Sequence, residues 1–213
     1  MNHLIFDLDG TLVNSAESIR KALIESCQIN NIAPRVPICD INIGPPLSAI
    51  IRDILPTEDT TLRVNLRNTF LELYDGRFCK QALLYPGAIH ALSQAMARSD
   101  LFVVTNKRIA PTKTILHHLN ILQLFKGVLG SDSVVAHGLS KAKMINHLIN
   151  SFELCRSNCA YFGDTESDAE ACEEVGISFF YASWGYGDMK SNHHIMTSWD
   201  DLHGLITRTE SNK

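Results

Sequence analysis

Residues 3–11 read His-Leu-Ile-Phe-Asp-Leu-Asp-Gly-Thr, and this stretch decides the fold. Residues 3–6 form a short apolar run typical of a buried strand, and the polar and small residues after them are typical of a turn. Ligands of open α/β sheets bind at the carboxyl ends of the strands, so this turn is a candidate site. Its candidate residues are Asp7, Asp9, Gly10 and Thr11.

The rest of the chain alternates strand-like and helical patterns. The helical patterns have apolar residues three and four positions apart, and they separate short apolar runs. This alternation predicts an α/β fold with a parallel sheet covered by helices on both faces. The further predicted strands are 101–104, 127–130, 159–162 and 177–181, and the predicted helices are 87–98, 110–119, 140–152 and 166–175.

One connection is much longer than the others. About 90 residues separate Thr11 from Leu101, whereas a strand–helix–strand crossover needs a few tens of residues. The segment contains helical patterns interrupted by prolines and glycines. We predict a small all-helical insertion at 15–83 and a catalytic core at 1–14 and 84–213; extra helices on the same core are the alternative. The helical patterns are 15–29, 47–55 and 60–75.

Composition and charge exclude several classes of protein. The formal net charge is −4 and the sequence contains no block of basic residues, which argues against binding to nucleic acid. No run approaches the roughly 20 apolar residues that a membrane span requires, and the start of the chain lacks the zones of a signal peptide. We therefore expect a cytoplasmic protein without a nucleic-acid or membrane partner.

Polar residues also follow later strands of the predicted sheet. Because parallel strands end at the same edge of a sheet, these side chains should lie near Asp7 and Asp9. Several carboxylates in one cleft repel one another unless a cation and a lysine neutralise them, and a set of oxygen ligands favours Mg²⁺ over zinc. The additional candidates are Thr105, Asn106, Lys141, Gly163, Asp164 and Asp168.

The spacing of Asp7 and Asp9 suits two roles in one reaction. On an extended segment, side chains two positions apart emerge on the same face, so both carboxylates can flank one reacting group. One can attack as a nucleophile while the other donates a proton to the leaving oxygen and later accepts one from water. Gly10 permits a sharp turn, and Thr11 can cap or bind.

Some of these assignments have alternatives. Thr105 and Asn106 stand between a strand and a helix, where they can either cap the helix or bind phosphate oxygens with the backbone N–H groups. Lys141 at a helix start is the candidate active-site lysine, and Lys143 is its rival. Lys107 is one of several basic residues that could meet a substrate carboxylate, and none of these is assigned that role.

These residues, in this order, resemble the haloacid dehalogenase superfamily of aspartate-nucleophile phosphatases, and within it the phosphoglycolate phosphatase-like branch. Residues 6–11 resemble the first motif of the superfamily, 105–107 the second, Lys141 the third and 163–168 the fourth. Another similarity is Trp-Gly-Tyr-Gly at 184–187. The resemblance covers nearly the whole chain, and it implies a Rossmann-like parallel sheet with a helical cap inserted after the first strand.

The resemblance also implies roles for the acidic residues. Asp7 would attack phosphorus and form an aspartyl-phosphate, and Asp9 would be the general acid and then the general base. Mg²⁺ would be held by the carboxylate of Asp7, the backbone carbonyl of Asp9 and Asp164.

The remaining candidates would support the phosphoryl group. Thr105, Asn106 and Lys141 would bind it and neutralise its charge, which such sites must stabilise. Asp168 would support Lys141 or the metal shell. Substrate choice would lie in the cap, near residues 44–46; an ordinary helix-breaking turn at these residues is the alternative.

The resulting prediction is a Mg²⁺-dependent phosphomonoesterase of small phosphorylated metabolites, with phosphoglycolate as the first candidate. A pyrophosphatase, a 5′-nucleotidase and a phosphomutase of the β-phosphoglucomutase type are the alternative enzymes. A non-catalytic binding protein is a further alternative, which the intact set of site residues disfavours. The expected partner is a small phosphate ester, and the chain is expected to be a monomer or a homodimer.

Overall fold

The computed structural model describes residues 1–55, 57–134, 139–189 and 193–208. The chain divides into two compact units, one formed by Met1–Asn14 and Leu83–Lys213 and the other by Ser15–Ala82. Within the described residues the strands are β1 (His3–Phe6), β2 (Val13–Asn14), β3 (Leu83–Leu84), β4 (Asp100–Val104), β5 (Gly127–Leu129), β6 (Cys159–Gly163), β7 (Ser178–Ala182) and β8 (His194–Met196). The helices are α1 (Ala16–Ile29), α2 (Leu47–Ile54), α3 (Thr60–Gly76), α4 (Ala88–Ala95), α5 (Ile109–His118), α6 (Lys141–Ser151), α7 (Glu166–Val175) and α8 (Asp200–Arg208).

The larger unit is built on a parallel sheet with the strand order β5-β4-β1-β6-β7-β8. Strand β1 pairs in parallel with β4 on one side and with β6 on the other, so that Ile5 lies between Phe102 and Tyr161. The chain moves outward from β1 to β5 and then returns to β6 on the other side of β1, so the strand order reverses at β1. A crevice outside the carboxyl ends of the strands at such a reversal is where ligands bind in open α/β sheets.

Both faces of the sheet are buried. On one face, alternate residues of β1, β4, β6 and β7 form a core with the apolar residues of α6 and α7. On the other face, Phe6, Phe162 and Phe180 stack across three neighbouring strands, with ring centroids 4.9 and 5.1 Å apart. Trp199, just before α8, contacts Phe6 at 5.9 Å on that face. The predicted α/β fold is confirmed, and burial on both faces explains the nearly continuous apolar strands of the sequence.

Three short strands in the described part of the chain were not predicted from the sequence. Strands β2 and β3 form a two-residue antiparallel ladder in which Val13 lies opposite Leu84, and β8 pairs with the edge strand β7. These three segments lack the apolar run bounded by glycines on both sides that indicated the short strand β5, and one alternation of side chains is not a pattern.

The regular secondary structure of the smaller unit, within its described residues, is all helical, with α1, α2 and α3 close to the three predicted helical patterns. Helix α3 packs against α1 and α2 and buries Leu66, Phe70 and Tyr74, which are four residues apart and so share one face. The carboxylate of Asp59 caps the start of α3 by accepting the N–H of Thr61 at 2.8 Å. This unit therefore has its own packed helical core.

No helix in the described part of the chain is both long enough and apolar enough to cross a membrane.

Candidate active site

The candidate residues gather at the carboxyl ends of the three central strands of the larger unit. Asp7 follows β1, Thr105 follows β4 and Asp164 follows β6, and all three residues are buried. Two further candidates lie at the starts of helices: Lys141 is the first residue of α6, and Asp168 lies in the first turn of α7. The sheet therefore brings together residues that are far apart in the sequence.

Lys141 lies between two carboxylates. Its side chain is 5% exposed, and its Nζ donates to Oδ2 of Asp7 at 3.0 Å and also to Oδ1 of Asp168. Lys143, two positions on, is exposed, and its backbone N–H donates to the Oγ of the helix-capping Ser140. The structure therefore places Lys141, and not Lys143, among the buried carboxylates.

Asp168 has two sets of donors. Its Oδ2 accepts the backbone N–H of Thr165 at 3.1 Å and the Thr165 hydroxyl at 2.7 Å, which closes a capping box at the start of α7, while its Oδ1 accepts from Lys141. A Cβ on Gly163 would come within 2.7 Å of Oδ2 of Asp168, so the close approach of the strand end requires glycine. Asp168 thus caps a helix and orients the lysine.

Burial strongly raises the pKa values of two carboxyl groups in the cluster. Burial raises the pKa of Asp7 to about 6, with the charge of Asp168 adding to the rise and Lys141 opposing it. Burial also raises the pKa of Asp164 to about 7, and the charge of Asp7 contributes. Burial lowers the pKa of Lys141, but Asp168 and Asp7 outweigh it, so this pKa lies above its ordinary value. One lysine therefore does not compensate the negative charge of the cluster.

The chemistry of the cluster fits a bound Mg²⁺ ion. Carboxylate oxygens of Asp7, Asp164 and Asp168 all lie within 4.8 Å of one another. The donors are all oxygen, which suits a hard divalent cation, and a cation would relieve the unfavourable burial of negative charge. Asp168 already accepts three hydrogen bonds, whereas Asp7 and Asp164 accept two each, which leaves Asp7 and Asp164 as the better ligands. The carboxylate of Asp9 lies outside this group of three.

Asp9 has a different neighbour from Asp7. The chain turns directly after Asp7, because the carbonyl of Leu8 accepts the N–H groups four and five residues on, both at 2.9 Å. Leu8 therefore lies in a turn, so residues 7–9 are not one extended segment, and the shared placement of the two carboxylates around one reacting group stays a prediction. Oδ2 of Asp9 lies 2.9 Å from Nζ of Lys107, whereas Asp7 pairs with Lys141. Two carboxylates in separate environments can take separate roles in acid–base chemistry.

Gly10 and Thr11 pack directly against Asp164. Gly10 has φ of 79°, in the left-handed region, and a Cβ there would collide with the carboxylate of Asp164. The hydroxyl of the fully buried Thr11 donates to Oδ1 of Asp164 at 3.5 Å. The turn after β1 therefore depends on glycine both for its conformation and for its close approach to Asp164.

The polar residues that follow β4 do not cap helix α5. Helix α5 begins at Ile109 with Arg108 in the capping position, so the alternative that Thr105 or Asn106 caps this helix is wrong. The Thr105 hydroxyl instead accepts the backbone N–H of Lys107 at 3.3 Å, and Asn106 is exposed. Thr105 therefore organises the loop that carries Asn106 and Lys107.

Sequence reasoning did not assign two contacts of the site. One is the pair of Lys107 with Asp9, for which the signal was the position of Lys107 directly after the polar residues that end β4. The other is the backbone N–H of Tyr186, which donates to Oδ2 of Asp164 at 2.7 Å. Its signal was the pair of glycines that flank Tyr186 in the sequence.

The chain is similar to known proteins in both sequence and fold. A family model described as haloacid dehalogenase-like hydrolase matches residues 4–182. A phosphoglycolate phosphatase from Cereibacter sphaeroides is 27% identical over 219 residues, which cover 98% of this chain and 99% of that protein. Another, from Rhodobacter capsulatus, is 28% identical over 189 residues, covering 86% of this chain and 84% of that protein. A solved haloacid dehalogenase-like hydrolase from Streptococcus pneumoniae shares the fold, with a TM-score of 0.86 at 22% identity over 96% of this chain and 98% of that one.

Proposed function

The chain belongs to the haloacid dehalogenase-like hydrolase family, and we propose that it is a Mg²⁺-dependent phosphatase of small phosphorylated metabolites, with phosphoglycolate as its first candidate substrate. The observation that carries this proposal is the position of Asp7 at the end of the central strand, with Nζ of Lys141 3.0 Å from its Oδ2 and Asp164 beside it. A carboxylate nucleophile beside a buried lysine and a set of oxygen donors for a divalent cation suits phosphoryl transfer. The two relatives that are named phosphoglycolate phosphatases support the choice of substrate.

In the first half of the reaction, a carboxylate oxygen of Asp7 attacks phosphorus and the bond from phosphorus to the ester oxygen breaks. Asp9 donates a proton to the departing oxygen, so the leaving group departs as an alcohol. The phosphoryl group is then carried as an aspartyl-phosphate on Asp7. Lys107, 2.9 Å from Oδ2 of Asp9, holds the carboxyl group of Asp9 in position.

In the second half, water attacks the phosphorus of the aspartyl-phosphate. Asp9, now ionised, accepts a proton from that water, and the bond between phosphorus and the Asp7 oxygen breaks to release inorganic phosphate. Asp7 returns as a carboxylate and Asp9 returns as an acid, so both residues are ready for another cycle.

The remaining polar groups stabilise the charge of the phosphoryl group. Mg²⁺, held by Asp7, the backbone carbonyl of Asp9 and Asp164, would supply positive charge beside the phosphoryl oxygens. Lys141 supplies a fixed cation whose position depends on Asp168. Thr105 and Asn106 are proposed to donate hydrogen bonds to the same oxygens.

The helical unit at Ser15–Ala82 is proposed to act as the cap of the enzyme and to select the substrate, with residues 44–46 as the first segment to test. A small phosphate ester is the proposed partner. Cytoplasmic localisation, the absence of nucleic-acid and membrane partners, and a monomeric or homodimeric state stay predictions.

Release of inorganic phosphate from a panel of phosphate esters tests the proposal. The panel contains 2-phosphoglycolate, pyrophosphate, nucleoside 5′-monophosphates and β-glucose 1-phosphate, each with Mg²⁺ and with EDTA. We expect Mg²⁺-dependent release that is fastest from 2-phosphoglycolate. A preference for pyrophosphate or a nucleotide would move the substrate assignment, and conversion of β-glucose 1-phosphate to glucose 6-phosphate would identify a phosphomutase.

Asp7→Asn is the control for this panel because it removes the nucleophile and keeps the size of the side chain. It should release no phosphate above background. If the wild type and Asp7→Asn were equally inert on every ester, the enzymatic assignment would be refuted.

A further inference from the structure

The loop that follows β7 reaches back to the acidic cluster. This loop, which we call the glycine loop, consists of residues 184–187 with the sequence Trp-Gly-Tyr-Gly. The backbone N–H of Tyr186 donates to Oδ2 of Asp164 at 2.7 Å, so the loop binds a carboxylate that is 1% exposed. None of the roles proposed above requires this loop.

The two glycines allow the loop to come this close. A Cβ on Gly185 would collide with the side chain of Asp164, and a Cβ on Gly187 would collide with its backbone carbonyl. Neither glycine has a left-handed φ, so the space beside Asp164, and not backbone conformation, requires glycine at both positions. Asp164 is therefore enclosed by backbone on the side of this loop.

The glycine loop also contacts the turn after β1. The indole N–H of Trp184 donates to the backbone carbonyl of Thr11 at 3.1 Å, and the Thr11 hydroxyl donates to Oδ1 of Asp164 at 3.5 Å. The hydroxyl of Tyr181, on β7, donates to the carbonyl of Gly187 at 2.5 Å and so fixes the far end of the loop. Each oxygen of the Asp164 carboxylate is thus oriented by a donor, one from the loop and one from the turn that the loop holds.

We propose that the glycine loop is a positioning element that fixes the Asp164 carboxylate for Mg²⁺, and that Mg²⁺ affinity depends on Gly185 and Gly187. The inference rests on the proposed Mg²⁺ dependence of the enzyme. Groups that orient a ligand of a metal commonly alter affinity by about 10–100-fold when they are replaced. The loop contacts Asp164 both directly and through Thr11, so it should affect binding of the metal more than turnover once the metal is bound.

Isothermal titration of the full-length protein with MgCl₂, without substrate, tests this proposal. Gly185→Ala and Gly187→Ala should each weaken Mg²⁺ binding by about 10–100-fold. Gly204→Ala is the matched control, because a Cβ at Gly204 in α8 meets nothing within 4 Å, and it should bind Mg²⁺ as the wild type does. Trp184→Phe removes the indole N–H and keeps an aromatic ring, and it should weaken binding by about tenfold.

A kinetic measurement separates positioning from general damage. In Gly185→Ala, the Mg²⁺ concentration for half-maximal activity should rise, while kcat at saturating Mg²⁺ should return to near the wild-type value. A loss of kcat that saturating Mg²⁺ does not restore would overturn the proposal. If Gly185→Ala and Gly187→Ala do not fold, Trp184→Phe decides.

The outcomes also separate this inference from the proposed function. Wild-type Mg²⁺ affinity in the folded loop variants, an equal loss in Gly204→Ala, or no binding by the wild type would overturn the inference. If the loop variants bind Mg²⁺ more weakly as expected but the wild type releases phosphate from no ester, the phosphatase proposal is refuted and the inference about the loop is supported. If the wild type releases phosphate but its loop variants bind Mg²⁺ normally, the phosphatase proposal is supported and the inference is refuted.

Discussion

Nζ of Lys107 lies 2.9 Å from Oδ2 of Asp9, and the two side chains are 11% and 23% exposed. This pair is separate from the pair of Lys141 with Asp7, so each aspartate of the turn after β1 has its own lysine. A long lysine side chain that is largely withdrawn from water has lost most of its freedom, and its contact fixes the carboxyl group that it touches. In the proposed reaction, that group must meet the leaving oxygen.

Replacing Lys107 should therefore slow turnover more than it weakens substrate binding. Lys107→Met removes the cation and keeps a side chain of similar length, and we expect kcat to fall about tenfold with little change in KM, because a misplaced acid transfers its proton less efficiently. Lys107→Arg keeps the charge and should recover part of the loss. Steady-state kinetics check this; a raised KM with unchanged kcat would mean that Lys107 binds the substrate instead.

The two lysines at the start of α6 should differ sharply. Lys141→Gln leaves buried carboxylates without their cation, so we expect kcat/KM to fall at least about 100-fold and the free energy of unfolding to fall by about 3 kcal/mol. Lys143→Gln changes an exposed lysine of the same helix and should leave both quantities near wild type. Kinetics and urea denaturation in Mg²⁺ measure the difference. Equal effects of the two substitutions would contradict the role of Lys141.

Trapping the phosphoenzyme should distinguish the role of Asp7 from that of Asp9. Asp9→Asn lacks the proton donor and should lose kcat by about 100-fold or more while KM changes little. Asp7→Asn should form no aspartyl-phosphate, because an amide does not attack phosphorus as a carboxylate does. Rapid acid quenching followed by mass spectrometry of the intact protein measures the added phosphoryl group. A phosphoenzyme on Asp7→Ala would show that the nucleophile lies elsewhere.

Much of the core could be predicted because its strands and helices have long, simple patterns. Strands buried on both faces appear as continuous apolar runs, and the helices of the larger unit show their spacing of three and four residues. Parallel pairing then brings strand ends together, so the sequence alone predicts that residues 7, 105 and 164 lie at one edge of the sheet. The positions of these residues could be predicted from the topology of the sheet, whereas their chemical roles stay predictions.

The contacts that could not be predicted depend on how turns fold. The turn after Asp7 is held by the carbonyl of Leu8, which accepts a tight set of hydrogen bonds, and no periodic pattern encodes that geometry. The partner of Asp9 is set by the loop after β4, and the donor to Asp164 is a backbone N–H at Tyr186. Every residue except proline has a backbone N–H, so the residue type at 186 does not indicate this donor. Only the glycines on either side of it indicated that the backbone comes close to another group.

The pH dependence of stability should reveal the acidic cluster when the metal is absent. Burial raises the pKa of Asp164 from 3.8 to about 7, and that of Asp7 from 3.8 to about 6. Between about pH 4 and pH 7 the folded state therefore holds protons that the unfolded state has released. The free energy of unfolding must fall as pH rises through this window, and it should become level above about pH 7. Melting temperatures in EDTA from about pH 4.5 to pH 8 measure this fall.

Asp164→Asn isolates the contribution of Asp164, because an amide has nearly the same shape and does not titrate in this range. In EDTA near pH 8, the variant should melt at a higher temperature than the wild type, since it does not bury that charge. Near pH 4.5, where the wild-type Asp164 is protonated in the folded state, the two melting temperatures should approach each other. Saturating Mg²⁺ should raise the wild-type melting temperature at pH 8 and leave the variant nearly unchanged, because the metal stabilises the ionised carboxylate. A difference between the two proteins that shrinks as pH rises would contradict the raised pKa of Asp164.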